Sequence, residues 1–434
     1  MAPMGDALGH APRIVFGNNH KSVAETEKSM TPAEIPSINL LDPQFYVDPW
    51  AAYRWLRDND PVHWDPVQKM WGVSRYEDVV AVEKNSRLYT SAEGSRPATD
   101  QRDDTSMINR DDPDHQQQRM LVARQFTPRA VKQLEDHIRQ IVTELIDAVV
   151  TNGRCEAIES LASPLPAILI GEKLGFPSEM WPKLREWSEI TMHEAGQTSP
   201  TGDHSASSNR STVAIGEFAM AMLDLIAQRR ENPQDDLISV WSNTEVNGRK
   251  WTEGEIISEC LLLLDGGAET TRTVIGAMIR ELALRPDQRQ LLLDRPEILG
   301  ETGVEEFIRW VTPILNMRRT VTEDHEFHGR ALHAGDEVLL MYSSANRDER
   351  MFTNPDELDV TRAHNNHVSF GFGTHFCLGS SLARIEIRVI FEELLRRIPD
   401  WRLAPNAEPQ ILGATFTRAY DKVQIEFTPE KARK

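Results

Sequence analysis

The chain has 434 residues, with 48 Lys+Arg against 67 Asp+Glu for a formal charge of −19, 40% hydrophobic residues and a mean hydropathy of −0.46. That is the composition of a soluble globular chain with a large core, and it excludes a disordered chain and a membrane bundle. The negative charge argues against a general affinity for nucleic acid or anionic membranes, both of which attract cations, and leaves room only for a local basic patch.

Residues 1–30 mix Gly, Pro, His and charges without the apolar core of a secretion signal, and read as a flexible tail. Thr31-Pro32-Ala33-Glu34 carries N-terminal helix signals that Pro36 cuts short. Residues 49–59 predict an amphipathic helix and 69–76, with Trp71 and Val73, a strand. Thr127-Pro128 opens a helix whose apolar face is Val131, Leu134, Ile138, Ile141, Leu145 and Val149, ended by Asn152-Gly153. Residues 196–212 read as a polar loop and 215–230 as a helix. Thr252-Glu253-Gly254-Glu255 is a capping box opening a helix that runs to about Arg285. Residues 303–310 predict another helix, 326–328 and 336–342 short strands around a turn at Gly335, and 354–370 mostly loop. A last helix follows Gly379, with Leu382, Ile385, Val389 and Leu394 inward, and 422–427 makes a late strand. No apolar run reaches the roughly 18 residues of a membrane span, since Leu261 to Leu264 stop at Asp265. Length alone would predict about three domains. The dominance of helix over short, clustered strands points instead to one large, mainly α domain with small β-sheets over 31–428, followed by a tail at 429–434.

Cys155, Cys260 and Cys377 are too few and too scattered for a disulfide framework or a paired-cysteine zinc site, which suits a reducing cytoplasm. Cys155 and Cys260 read as small buried core residues. Cys377 stands apart, in Phe370-Gly371-Phe372-Gly373-Thr374-His375-Phe376-Cys377-Leu378-Gly379. Its glycines permit a tight loop close to a flat ligand. It lies just before a helix whose N-terminal N–H groups favour a thiolate. Phe370 and Phe372 are placed to shield the sulfur. A second stretch, Asp265-Gly266-Gly267-Ala268-Glu269-Thr270-Thr271, puts two glycines, acids and hydroxyls inside a long apolar helix. Each glycine costs about 1 kcal/mol there, and such local inconsistency marks functional sites.

Phe-x-x-Gly-x-His-x-Cys-x-Gly around Cys377 resembles the haem-ligand loop of cytochrome P450 monooxygenases, and Gly266-Gly267-x-Glu269-Thr270 their oxygen-binding groove. The resemblance covers about 38–428 and implies a haem b-dependent enzyme that uses O2 for hydroxylation, with Cys377 as iron ligand. It implies Thr270 as the hydroxyl toward bound oxygen and Glu269 as proton relay. Phe370 and Gly371 would flank the cofactor. His115 and Arg119, in a segment resembling the family's Asp-Pro-Pro-x-His-x-x-x-Arg, would hold its propionates with Arg318 and His375. Glu306-x-x-Arg309 resembles the family's structural ion pair, and with Glu357 in the usual arginine slot, Arg362 is the candidate third partner. Leu262, Gly266, Ile314, Leu315 and Phe416 would line the substrate pocket. Electrons would come from a separate ferredoxin and ferredoxin reductase, for which Arg384, Arg388, Arg396 and Arg397 form a candidate basic patch. Segments at 38–46, 266–272 and 316–329 look similar to actinobacterial enzymes that oxidise sterol side chains, so a steroid or other lipid is the expected substrate. The same scaffold also carries terpenoid and macrolide hydroxylases and haem-thiolate proteins that do not hydroxylate.

Overall fold

The capping box forms as its spacing predicts: Thr252 Oγ1 accepts from the Glu255 N–H at 3.2 Å while a Glu255 carboxylate oxygen accepts from the Thr252 N–H at 2.8 Å. It opens the longest helix, Glu253–Leu284, of 32 residues, about 48 Å at 1.5 Å per residue. From Thr271 to Ile279 every residue is buried, so this helix is clad by protein all round. Gly267 allows one of those contacts, because a Cβ there would lie 2.9 Å from Ile170 on the helix Pro164–Leu174.

The computed structural model describes residues 38–99, 101, 103–193, 207–246, 248–405, 407, 411–412 and 414–430. The motif at Thr31 and the tail at 1–30 lie outside them. A five-stranded sheet is built from β1 (Val62–Asp65), β2 (Met70–Val73), β3 (Tyr89–Thr90), β4 (Asn316–Val321) and β5 (Glu337–Met341), in the order β1-β2-β5-β4-β3. Only the β2–β5 pair is parallel. A three-stranded sheet joins Arg154–Glu156, Gln424–Glu426 and Arg402–Leu403. The architecture is mainly α with small β-sheets, as composition and periodicity predict. Its main hydrophobic core is helical, and a second core lies against the larger sheet.

Several boundaries differ from expectation. The helix expected over 127–151 is two, Pro128–Lys132 and Glu135–Val150, because Leu134 closes the first with a tight bond to the Val131 carbonyl at 2.9 Å. Residues 207–212, expected as loop, begin the helix Ser207–Glu231, while 194–206 lie outside the described residues. Part of that helix, Arg210–Glu231, is long and apolar enough by length and composition to cross a membrane, although Glu217 and Asp224 interrupt its apolar run. Ala214, Phe218, Met222 and Ile226 bury one face of it in the helical core at four-residue steps. Glu430, expected in a tail, instead accepts from Arg397 at 2.6 Å.

Glu306 anchors the long loop between the larger sheet and Cys377. Arg309 donates to both of its oxygens, at 2.7 and 2.8 Å, and both side chains are fully buried. Arg362 Nε adds a third bond at 3.0 Å, and Asn365 and the Asp359 N–H bind the same carboxylate. Arg309 also donates to the carbonyls of Asn346, Pro355 and Glu357. Glu357 thus contributes its backbone to the network, while its exposed side chain meets Asn354. Removing one partner of a buried ion pair leaves the other charge uncompensated. Glu306→Ala is expected to lose about 3–5 kcal/mol in urea denaturation, and Glu357→Ala to stay within about 0.5 kcal/mol of the parent.

Candidate active site

The loop before the helix Ser380–Arg397 turns the Cys377 side chain into a deep cleft. The Cys377 N–H bonds the Phe370 carbonyl at 2.8 Å, closing the loop on itself. Gly373 has φ +72° and a Cβ there would lie 2.8 Å from the Glu83 carbonyl, so only glycine fits this turn. Burial raises the Cys377 thiol, and the Gly379 and Ser380 N–H groups, with Arg119 and Arg384, pull it back. Phe370 lines the cleft and stacks under Arg384. Phe372 does not shield the sulfur as expected: it is exposed, with Lys84 over its ring. The other cysteines belong to the core, and burial pushes the Cys155 thiol up to about 12 and that of Cys260 well above its usual range.

Beside the sulfur the cleft is cationic. His115, Arg119, Arg319 and His375 line it, together with Gly371. The His115 and His375 rings stack at 4.2 Å. His115 Nδ1 is tied to Asp112 at 3.0 Å, and the Nε2 atoms of both histidines are buried without a partner among the described residues. Burial, then Arg319, His115 and Arg119, pushes His375 down to about 3. Arg119 donates to the Phe376 carbonyl at 2.6 Å.

Arg318 is a correction. Its guanidinium points out of the cleft to the Glu93 carbonyl at 2.7 Å, the Gly94 carbonyl at 3.3 Å and Glu337 at 2.8 Å. Successive residues of a strand face opposite sides, so on β4 it is Arg319 that enters the cleft, backed by Glu83 at 3.2 Å with Tyr342 bonding the same carboxylate.

The opposite wall is apolar. Leu262, Leu263, Gly266, Gly267, Ile314 and Phe416 line it, and Thr270 faces it with its hydroxyl donating to the Gly266 carbonyl at 2.7 Å. Leu315 does not line the cleft: it is packed with Leu40 and Met341 in a separate core, one residue out of phase with Ile314. Glu269 lies next to Thr270 in sequence but outside the cleft lining, bonded to Arg272 and to His193 Nε2, the latter at 2.8 Å. Burial alone raises its carboxyl, but Arg272 and His193 outweigh this and hold it at about 2. Asp265 is buried one turn earlier, accepting from Arg96 at 2.8 Å and Thr191 at 2.6 Å. Sequence reasoning missed Arg96 and His193, which reach the long helix from distant segments that no local pattern marks, and took Arg318 in place of its neighbour Arg319.

The expected basic patch is neutralised. Arg384 pairs with Glu305, Arg388 with Glu135 and Glu392, Arg396 with Glu393, and Arg397 with Asp147 and Glu430.

A cysteine sulfur and cations on one side, and on the other an apolar wall broken by Thr270, Thr271 and Arg96, suit a flat anionic metal cofactor beneath an organic substrate. A cytochrome P450 family model matches residues 299–424. The chain is 39% identical to a steroid C26-monooxygenase of Mycolicibacterium smegmatis, covering 91% of this chain and 97% of that one. It is 33% identical to linalool 8-monooxygenase of Pseudomonas putida, covering 85% and 94%. The crystal structure of CYP109E1 from Bacillus megaterium in complex with testosterone superposes with a TM-score of 0.82 at 31% identity, covering 89% of this chain and 99% of that one. The chain belongs to the cytochrome P450 family and is an oxidoreductase of the monooxygenase type.

That family implies a haem-iron cofactor, and the residues present fit one. Two buried imidazole nitrogens without partners among the described residues lie next to Arg119 and Arg319, whose guanidiniums are the donors that anions such as propionates need. Among the described residues no cluster of three or more His, Cys, Asp or Glu offers a rival metal site.

Two outcomes are expected. Arg319→Ala lowers the haem content of purified protein, read as the pyridine haemochromogen, whereas Arg318→Ala retains it. Because the Glu269 carboxyl drops from its usual 4.5 to about 2, it stabilises the fold above pH 4.5, and that contribution is lost as pH falls toward 2. Acid titration of stability is therefore shallower in Glu269→Gln over that window.

Proposed function

We propose that this chain is a haem b monooxygenase, one domain over about 31–428, that inserts one atom of O2 into a hydrophobic substrate of steroid or related lipid type. The observation that carries this reading is the single cleft lined both by Cys377 and by the Gly266–Thr270 turn of the long helix. The steroid class is supported by the 39% identity to a steroid C26-monooxygenase, against 33% to the linalool enzyme.

Cys377 would hold the iron, and His115, Arg119, Arg319 and His375 the propionates, with Phe370 and Gly371 against the macrocycle. When bound, the haem supplies oxygen activation and oxygen-atom transfer, for which a thiolate ligand favours O–O cleavage. That chemistry would draw two electrons from a redox partner and two protons, releasing the second oxygen atom as water. Leu262, Leu263, Ile314 and Phe416 exclude water and hold the apolar substrate. The Thr270 hydroxyl, now donating to the Gly266 carbonyl, delivers a proton into the cleft. Glu269 reloads it only after leaving Arg272 and His193, so its carboxylate is stored in a locked form.

Bacterial members of the family use separate redox partners. A ferredoxin and ferredoxin reductase remain the proposed donors, but the four arginines after Gly379 are spent on internal ion pairs and do not form the docking patch. A cytoplasmic location is supported by three free cysteines, among them the thiol this function needs.

The reduced carbon monoxide complex is expected to show the red-shifted thiolate Soret band, lost in Cys377→Ser. Wild-type protein without that band would reject the haem-thiolate reading. Thr270→Ala is expected to keep haem and substrate binding while diverting electrons to hydrogen peroxide, and full coupling in that variant would remove Thr270 from proton delivery. A spin-shift titration against sterols, fatty acids, terpenes and macrolides identifies the substrate class, with sterols expected to give the tightest response.

A further inference from the structure

Arg96 places a guanidinium in the part of the cleft that is otherwise built from Met192, Leu262, Leu263, Ile314 and Phe416. A long cation beside an apolar site is costly unless something pairs it and something uses it. Asp265, with a side chain 1% exposed, takes Arg96 Nη2 at 2.8 Å. The guanidinium carbon lies 5.2 Å over the Phe416 ring, which gives it a flat platform. Among the described residues Asp265 leaves the Nη1 and Nε groups of Arg96 without an acceptor.

The loop that carries Arg96 is held from several sides. Gln101 Oε1 accepts from the Arg96 N–H at 2.7 Å and from the Ser95 N–H at 3.0 Å. Ser95 Oγ meets Asn109 at 2.7 Å, and the Ser95 carbonyl accepts from the Arg318 N–H at 2.7 Å. The Arg318 side chain then binds the carbonyls of Glu93 and Gly94. Arg318, which does not reach the cofactor side of the cleft, is thereby committed to this loop.

We infer that Arg96 is a specificity-determining residue that donates to a neutral oxygen acceptor, a ketone or hydroxyl, on the hydrophobic substrate, and that Arg318 is the positioning residue for its loop. The Arg96–Asp265 pair already sums to zero charge. A neutral acceptor completes the donor set, whereas a carboxylate would bring uncompensated negative charge next to Asp265. This rests on the proposed function only in taking the apolar side of the cleft as the substrate site.

The test is equilibrium binding to the purified holoprotein of two matched pairs, cholestanone with cholestane and a long-chain methyl ketone with its alkane, plus the fatty acid of the same length. Arg96→Met is expected to weaken each ketone about tenfold, the worth of one hydrogen bond, and each hydrocarbon less than about twofold, with Arg96→Lys restoring part of the loss. The double variant Arg96→Met, Asp265→Asn keeps the pocket neutral and is expected to show the same selective loss if the single variant folds poorly. Arg318→Gln is expected to shrink the ketone advantage with haem content unchanged. Equal weakening of ketone and hydrocarbon by Arg96→Met overturns the Arg96 assignment, as does a fatty acid that binds more tightly than its ketone. A fall in haem with an unchanged ketone advantage in Arg318→Gln overturns the positioning role. Failure of both steroids to bind, with an Arg96-dependent gain for the methyl ketone, rejects the steroid class and supports Arg96.

Discussion

A single buried carboxylate, Glu306, organises the route to Cys377. Two guanidiniums, a side-chain amide and a backbone N–H converge on it in a place that water does not reach. The bonds that Arg309 makes to three carbonyls fix the irregular stretch between the larger sheet and Cys377. A long loop has no internal ladder to hold it, and this network takes the place of one. Everything that the thiol needs, from the turn at Gly373 to the helix after Gly379, is built on that anchored segment.

The cleft is electrically divided. His115, Arg119, Arg319 and His375 gather on one side, where Glu83 backs Arg319, Asp112 holds His115, and Glu386 also lines the cleft. The other side is hydrocarbon, broken by Thr270 and by Arg96. Each acid that serves the long helix is held back from the cavity by a specific partner: Glu269 by Arg272 and His193, Asp265 by Arg96 and Thr191. A chain with a charge of −19 thus shows its cofactor face a locally cationic surface, and its negative residues are spent as counter-ions elsewhere. The same economy accounts for the arginines after Gly379, which run as a basic stripe in sequence but each find a carboxylate in three dimensions.

The elements that could be read in advance were those with strong local chemistry. The capping box at Thr252 and the apolar spacing after it predict the long helix almost to the residue, because both are set within a few positions along the chain. Arg362 reaches Glu306 although Glu357 occupies the expected slot, since a long guanidinium compensates for a shift of several residues. Arg318 and Arg319 were not separable by motif alone. Adjacent basic residues look equivalent in one dimension, and the choice depends on which face of β4 meets the cavity, which follows from its pairing with β5. Leu315 and Ile314 differ for the same reason.

By itself the sequence determined a mainly helical single unit, a thiol poised before a helix, and a hydroxyl-bearing break in a long apolar helix, because each depends on residues near one another in the chain. The family resemblance places these two motifs at one site, and the tertiary structure shows them lining one cleft. It also decided which arginine enters that cleft, which acids are locked away, and that Arg96 arrives from a distant loop. Most of those outcomes depend on contacts between residues tens to hundreds of positions apart, such as His193 with Glu269 and Arg96 with Asp265, and no local periodicity carries that information.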